Sequence, residues 1–215
     1  MMRHPDQRVG VFIDTQNMYY SARYMFNKKV NFGNIVKDAV DSRKLIRAIA
    51  YVVKTKTQDE SPFFDALVKL GIELREKDLM EYFSGQKKAD WDVGLTVDAI
   101  RMIDMLDVIV IVSGDGDYIP LVEYVKSRGR IVEIVAFRET TSTRLIEHAD
   151  DYTNLSENKK RYLITPNKQT NQQYPQKAKV ESKQEEKVDD VFFITPDDSA
   201  DTQDQEESRR KRLSF

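Results

Sequence analysis

Val108-Ile109-Val110-Ile111-Val112-Ser113-Gly114-Asp115-Gly116-Asp117-Tyr118 joins five consecutive β-branched residues to a turn built of glycine and aspartate. An apolar run without polar alternation reads as a strand covered on both faces, the habit of parallel sheets. Working outward, Val9 to Ile13, Ile46 to Val53, Ile72 to Arg75 and Ile131 to Phe137 are further candidate strands, with helical-period segments between them. That alternation predicts an α/β protein with a mainly parallel central sheet and crossover helices. The helices carry their own punctuation. Ser61-Pro62 opens one, Phe63, Phe64, Leu67, Val68 and Leu70 stripe it, and Gly71 stands where a left-handed residue ends a helix. A second is expected from about Asp92 to Asp104, burying Val93, Val97, Ile100 and Ile103. A third is expected to be capped by Asp117, to run to Arg128 and to stop at Gly129.

The chain has 215 residues, enough for one ordinary α/β domain plus an appendage. Cys 0 and His 2 exclude disulfides, thiolate zinc sites and a cysteine nucleophile, so any metal must be held mainly by oxygen. A net charge of -2 argues against a protein coated in positive charge, and nucleic-acid binding would need a local patch. No apolar run approaches the roughly 18 to 20 residues of a membrane span. Val9 to Ile13 is too short for the core of an export signal. A soluble, cytoplasmic chain that does not engage membranes is expected.

Composition changes after Leu155. Residues 156–215 carry 12 basic and 12 acidic residues among Gln, Asn, Ser and Thr, with apolar residues scattered and without period. Such a stretch buries too little surface to offset the entropy of ordering, so a disordered tail is expected there, after a flexible N-terminus at 1–8 and a domain at 9–155. Within the tail, Tyr162-Leu163-Ile164-Thr165-Pro166 is echoed by Phe192-Phe193-Ile194-Thr195-Pro196. The echo reads equally as chance or as a short motif that docks a protein partner by adding a strand. Arg209-Arg210-Lys211-Arg212 reads chiefly as a solvated charge run.

In an open parallel sheet, ligands gather beyond the carboxyl ends of the strands. Asp14 and Asp115 fall there, each closing an apolar strand where an ionised carboxylate is costly unless something compensates. A hydrated divalent cation would do so. For any one residue a plainer role suffices: Asp14 and Asp117 as helix caps, Gly114-Asp115-Gly116 as a tight turn. A third acidic contribution, in Lys87-Lys88-Ala89-Asp90-Trp91-Asp92-Val93-Gly94-Leu95-Thr96-Val97-Asp98, makes capping alone a thinner account. Asp92 and Asp98 are rotated by roughly 240° on a helix, so they cannot share a direction. Asp92 is the expected site residue, with Asp98 making a supporting structural bond.

These residues carry a resemblance. Phe12-Ile13-Asp14-Thr15-Gln16-Asn17, the Asp-Val-x-Leu-x-Val-Asp pattern of Asp92 to Asp98, and Ser113-Gly114-Asp115-Gly116-Asp117-Tyr118 occur in the order seen in LabA-like NYN domain proteins, a branch of the PIN-like nuclease superfamily. The similarity runs from about Val9 to Leu155, and the Ser-Gly-Asp-x-Asp-[Tyr/Phe] element is its most specific piece. It implies a PIN-like three-layer sandwich whose carboxylates hold Mg²⁺ or Mn²⁺ for hydrolysis of RNA phosphodiester bonds by a metal-activated water. Carried over by position, Asp14, Asp92, Asp115 and Asp117 are the implied metal ligands and catalytic residues, with Asn17 and Ser113 as supporting groups. Gln16 departs from the Gly, Asp or Glu common before the Asn, without removing a carboxylate.

Hard cations favour carboxylate oxygens, and a metal at a scissile phosphate can supply an activated water, which agrees with that implication. His4, near the N-terminus, and His148, near the end of the domain, are poorly placed for acid-base work. RNA contacts are expected from Lys87, Lys88 and Tyr118, with Lys54, Lys56, Arg138, Tyr19 and Tyr20 in reserve. Any one of these lysines reads first as solvated surface, and Tyr19 and Tyr20 read at least as well as helix packing. The competing reading is a non-catalytic RNA- or protein-binding scaffold. A haloacid dehalogenase-type phosphatase fails because Thr15 and Gln16 follow Asp14 where a second Asp is required. A Toprim-like domain wants Glu where Asp14 stands.

Overall fold

The computed structural model describes residues 3–54, 61–78, 80–81, 87–88 and 91–165. The chain divides into two units, Met1–Gln172 and Gln173–Phe215, and the described residues all belong to the first. In chain order its strands and α-helices are β1 (Arg8–Asp14), α1 (Thr15–Phe26), β2 (Lys29–Val30), α2 (Phe32–Val40), β3 (Lys44–Lys54), α3 (Ser61–Lys69), β4 (Glu73–Asp78), β5 (Met80–Glu81), β6 (Lys87–Lys88), α4 (Asp92–Met102), β7 (Val108–Val112), α5 (Ile119–Ser127), β8 (Ile131–Ala136), α6 (Thr143–His148), β9 (Asp151–Asn154), α7 (Lys159–Tyr162) and β10 (Leu163–Ile164).

Six strands form one sheet in the order β4-β3-β1-β7-β8-β9, and every pairing in it is parallel. Counted by appearance in this sheet, the order is 3-2-1-4-5-6, the doubly wound arrangement in which the chain starts at the centre, builds one half, then crosses back to build the other. The reversal falls between β1 and β7, where Ile13 pairs with Val112, so Asp14 and Ser113 leave the sheet side by side. Loops diverge at such a point and leave a crevice at the carboxyl ends.

Both faces are covered, which is why β7 needs no polar alternation: all five of its residues are buried. Val9, Val11 and Ile13 of β1 pack on one side with Met18 and Ala22 of α1, the apolar face of α2, and Leu67 of α3. Phe12 points the other way, toward Leu95 and Ala99 of α4, Leu121, Val122 and Val125 of α5, and Leu145 of α6. The result is the three-layer α/β/α sandwich. A buried ion pair braces the first layer. Arg43 donates to the carbonyls of Ala39 and Val40 at the end of α2 and forms a two-pronged bridge to Glu133 of β8 at 2.6 and 2.8 Å.

The described fold runs past the compositional break at Leu155. In the stretch expected to be disordered, α7 forms, Tyr162 and Leu163 are buried, and β10 pairs antiparallel with β2. Asp38 fastens this piece by accepting hydrogen bonds from the Tyr162 hydroxyl at 2.9 Å and from the Arg161 guanidinium. The domain edge expected at 155 is therefore corrected to at least 165. Leu163 and Ile164 of the first echo motif are thus a strand paired within their own chain, while Pro166 and Phe192 to Pro196 lie outside the described residues. No helix among the described residues is long and apolar enough to cross a membrane.

Candidate metal centre

Three segments meet at the crevice. Asp14, the last residue of β1, is also the N-cap of α1, accepting the Asn17 N–H at 3.0 Å. Beyond β7, the Asp115 side chain accepts the Asp117 N–H at 3.0 Å and so caps a short 3-10 turn, Gly116–Tyr118. This corrects the expectation that Asp117 is the cap: α5 has no side-chain cap, and Asp117 is left exposed. From across the crevice, Asp92 arrives in the first turn of α4. Carboxylate oxygens of Asp92, Asp115 and Asp117 lie within 4.8 Å of one another.

Asp14 stands behind them. It is 8 % exposed, and burial pushes its carboxyl up to about 6, the nearby charges of Asp92 and Asp115 adding to the rise and the Asn17 N–H opposing it. Its Oδ2 lies 3.3 Å from the Ser113 hydroxyl and 3.3 Å from that of Tyr118. The same Tyr118 hydroxyl lies 3.0 Å from Asp92 Oδ1. One O–H cannot donate to two carboxylates at once. A protonated Asp14 resolves the conflict by donating to the phenol oxygen while the phenol donates to Asp92. Burial, with Asp14 and Asp92 beside it, raises the Tyr118 pKa well above the ordinary range, so the phenol stays a donor.

Smaller contacts hold the turn. Ser113 accepts the Asp115 N–H at 3.2 Å, and the Asn17 side-chain oxygen accepts the Gly114 N–H at 3.0 Å, tying α1 to the loop after β7. Gly114 is needed for close approach: a Cβ there would fall 2.6 Å from the Thr140 carbonyl oxygen. On the other wall, the Trp91 indole donates to the Val52 carbonyl at 2.9 Å, setting where α4 begins. Gly94 lets that ring lie across the first turn, since a Cβ would meet Trp91 Cε3 at 2.5 Å.

The remaining expected residues are placed as follows. Asp98 points away from the cluster and accepts from the Tyr51 hydroxyl and Arg75, both at 3.2 Å. Tyr118, expected to offer a ring for base stacking, is 1 % exposed, and its ring is core. That expectation is corrected, because the 3-10 turn swings residue 118 inward and only the hydroxyl reaches the site. Lys87 and Lys88 form β6, paired with β5, but their side chains lie outside the described residues, as does Lys56. Lys54 is paired with Glu76. The His148 ring is turned to the Arg144 carbonyl and to Glu123. Sequence reasoning missed Trp91 and Gly94 as positioning residues. A glycine in the first turn of a helix, three residues after the sole tryptophan, was the available signal.

Fold and site define a doubly wound α/β protein with an all-carboxylate centre at the point where its strand order reverses. The chain belongs to the NYN domain family, which it matches over residues 8–156. It is 27 % identical over 165 residues to the low amplitude and bright protein LabA of Synechococcus elongatus, an alignment covering 70 % of this chain and 84 % of that protein. A crystal structure of a protein of unknown function, VPA0982 from Vibrio parahaemolyticus, has a similar fold, with TM-score 0.68 and 28 % identity, covering 76 % of this chain and 100 % of that one.

Proposed function

We propose that this protein is a divalent-metal-dependent ribonuclease whose ion is Mg²⁺ or Mn²⁺, held by Asp92, Asp115 and Asp117 with Asp14 behind them. The observation that carries the reading is the convergence of three carboxylates from two segments within 4.8 Å. Carboxylates that close repel unless a cation or a proton intervenes. The donor set is oxygen alone, which fits a hard cation and not a soft one. Membership of the NYN domain family, which the sequence resemblance ties to PIN-like nucleases, supports the same chemistry and favours RNA as the substrate class.

When bound, such a cation neutralises charge on a phosphoryl oxygen and lowers the pKa of a water ligand. The protein's own residues prepare for it. Asp115 is held by the backbone of its own turn, Asp92 by the Tyr118 hydroxyl, and the turn itself by Asn17 and Ser113. These supports fix Asp92 and Asp115 before the cation arrives, so little reorganisation of those two remains. Asp14, buried behind these carboxylates, caps α1 and contacts the Ser113 and Tyr118 hydroxyls, which line the site.

The test is cleavage of single-stranded RNA by the full chain with Mg²⁺, with Mn²⁺ and with chelator. Cleavage that needs the cation and falls at least a hundredfold in Asp115→Asn supports the reading, that size being typical for loss of a preorganised electrostatic group. Cleavage indifferent to chelator, or undiminished in Asp115→Asn, would overturn it.

A further inference from the structure

The packed side of α1 is made of Thr15, Met18, Ser21 and Ala22. The opposite side holds three tyrosines. Tyr19 is 51 % and Tyr24 78 % exposed, with Tyr20 half-buried between them. Their rings form a continuous row: Tyr19 meets Tyr20 edge-on at 5.4 Å, and Tyr20 stacks on Tyr24 at 5.7 Å with an angle of 12°. Core packing does not explain this row, because two of its three rings, Tyr19 and Tyr24, face solvent.

Charge sets the same stretch of chain apart. From Thr15 to Lys37 the chain has four basic residues, Arg23, Lys28, Lys29 and Lys37, and no Asp or Glu, in a protein whose net charge is -2. Arg23 and Lys29 are exposed. The same helix starts at the candidate centre. Asn17, which holds the loop carrying Asp115, and Tyr24 are seven residues apart, so on a helix they project within roughly 20° of each other and about 10 Å apart along the axis.

We propose that the solvent face of α1 is a track for single-stranded RNA leaving the carboxylate centre, with unpaired bases stacking on Tyr19, Tyr20 and Tyr24 and phosphates facing Arg23 and Lys29. The proposal rests on the reading of the centre as a ribonuclease site and adds where its substrate lies. Aromatic faces accept any unpaired base, while neighbouring cations follow the backbone, so recognition is tolerant of sequence and sensitive to salt. With ring centres 5.4 and 5.7 Å apart, the row reaches at most about 11 Å, which matches roughly three bases at ~3.4 Å per stacked nucleotide. Because the rings already rest on one another, little side-chain freedom is lost when RNA binds.

The experiment measures binding of a fluorescein-labelled single-stranded RNA to the full chain in chelator, where cation-dependent cleavage cannot occur. The proteins are the wild type, Tyr19→Ala/Tyr24→Ala and Tyr24→Phe, with melting temperatures taken in parallel. Both alanine positions are exposed, so the fold should survive. The track predicts at least a tenfold loss of affinity in the double alanine variant, retention in Tyr24→Phe, and weaker binding of a blunt duplex of the same sequence. Unchanged affinity in the folded double variant overturns the track even if the chain cleaves RNA. A tenfold loss supports it even if no cleavage is found. A wild type that binds no RNA, or binds duplex as well as single strand, also overturns it.

Discussion

Replacing Asp14 by Asn should make the metal-free protein more stable at neutral pH. The Asp14 carboxyl is buried, and its folded-state pKa stands at about 6 against an ordinary 3.8. A carboxyl raised in this way holds its proton more tightly in the folded state than in the unfolded chain. Through the interval between those two values the folded state binds more protons, so stability falls as pH rises, and above the folded value the whole penalty is present. At ~1.4 kcal/mol per pKa unit it amounts to about 3 kcal/mol. Asn keeps an oxygen to accept the Asn17 N–H and removes the charge, so most of that penalty should be recovered. For a domain of this size that is a rise in melting temperature of roughly 5 to 10 °C. The gain should shrink as pH falls through the interval between those values and approach zero only at about pH 3, below both of them, where Asp14 is largely protonated in both states. Asp38, held low by Arg161, and Asp107, held low by Arg8, respond to pH in the opposite sense in both proteins and cancel in the difference. Urea unfolding of both proteins in chelator across this pH range is the assay. An Asp14→Asn variant that is less stable at neutral pH, or whose difference from wild type does not vary with pH, would refute the reasoning.

Two further outcomes follow from the packing. Glu133→Ala should cost about 3 to 5 kcal/mol in chemical unfolding, because it strands the fully buried Arg43 guanidinium, whereas replacing both partners with apolar residues of similar volume should recover most of the loss. A chain ending at residue 157 should lose several kcal/mol, since it removes buried Tyr162 and Leu163 and the contacts to Asp38, whereas one ending after residue 168 should melt with the full chain. Equal melting of the two truncations would put the domain edge back at Leu155.

What could be read from sequence was local. The strand Val108–Val112 announces itself because both faces are covered, and a carboxylate directly after such a strand is conspicuous whatever lies beside it. The divergence of Asp92 and Asp98 followed from helix geometry alone, and Asp98 is indeed occupied with Tyr51 and Arg75. What escaped depends on contacts between distant segments. β9, Asp151–Asn154, has no apolar period and is a strand because β8 supplies its partners. α7 and β10 sit in a polar stretch and are held by β2 and by Asp38, more than 120 residues earlier. Tyr118 is core because Asp115, not Asp117, takes the capping bond, a choice of one turn over another that composition does not reveal.

Binding of Mn²⁺ to the full chain tests the central claim most directly, read by titration calorimetry or by the spectrum of the free ion, for the wild type beside Asp92→Asn and Asp115→Asn. Two segments that meet only in the folded state each supply a ligand. The account predicts saturable binding by the wild type and a loss of at least tenfold in affinity in each variant, with both variants still folded. Wild-type chain that takes up no Mn²⁺, or variants that bind it as tightly as the wild type, would contradict it.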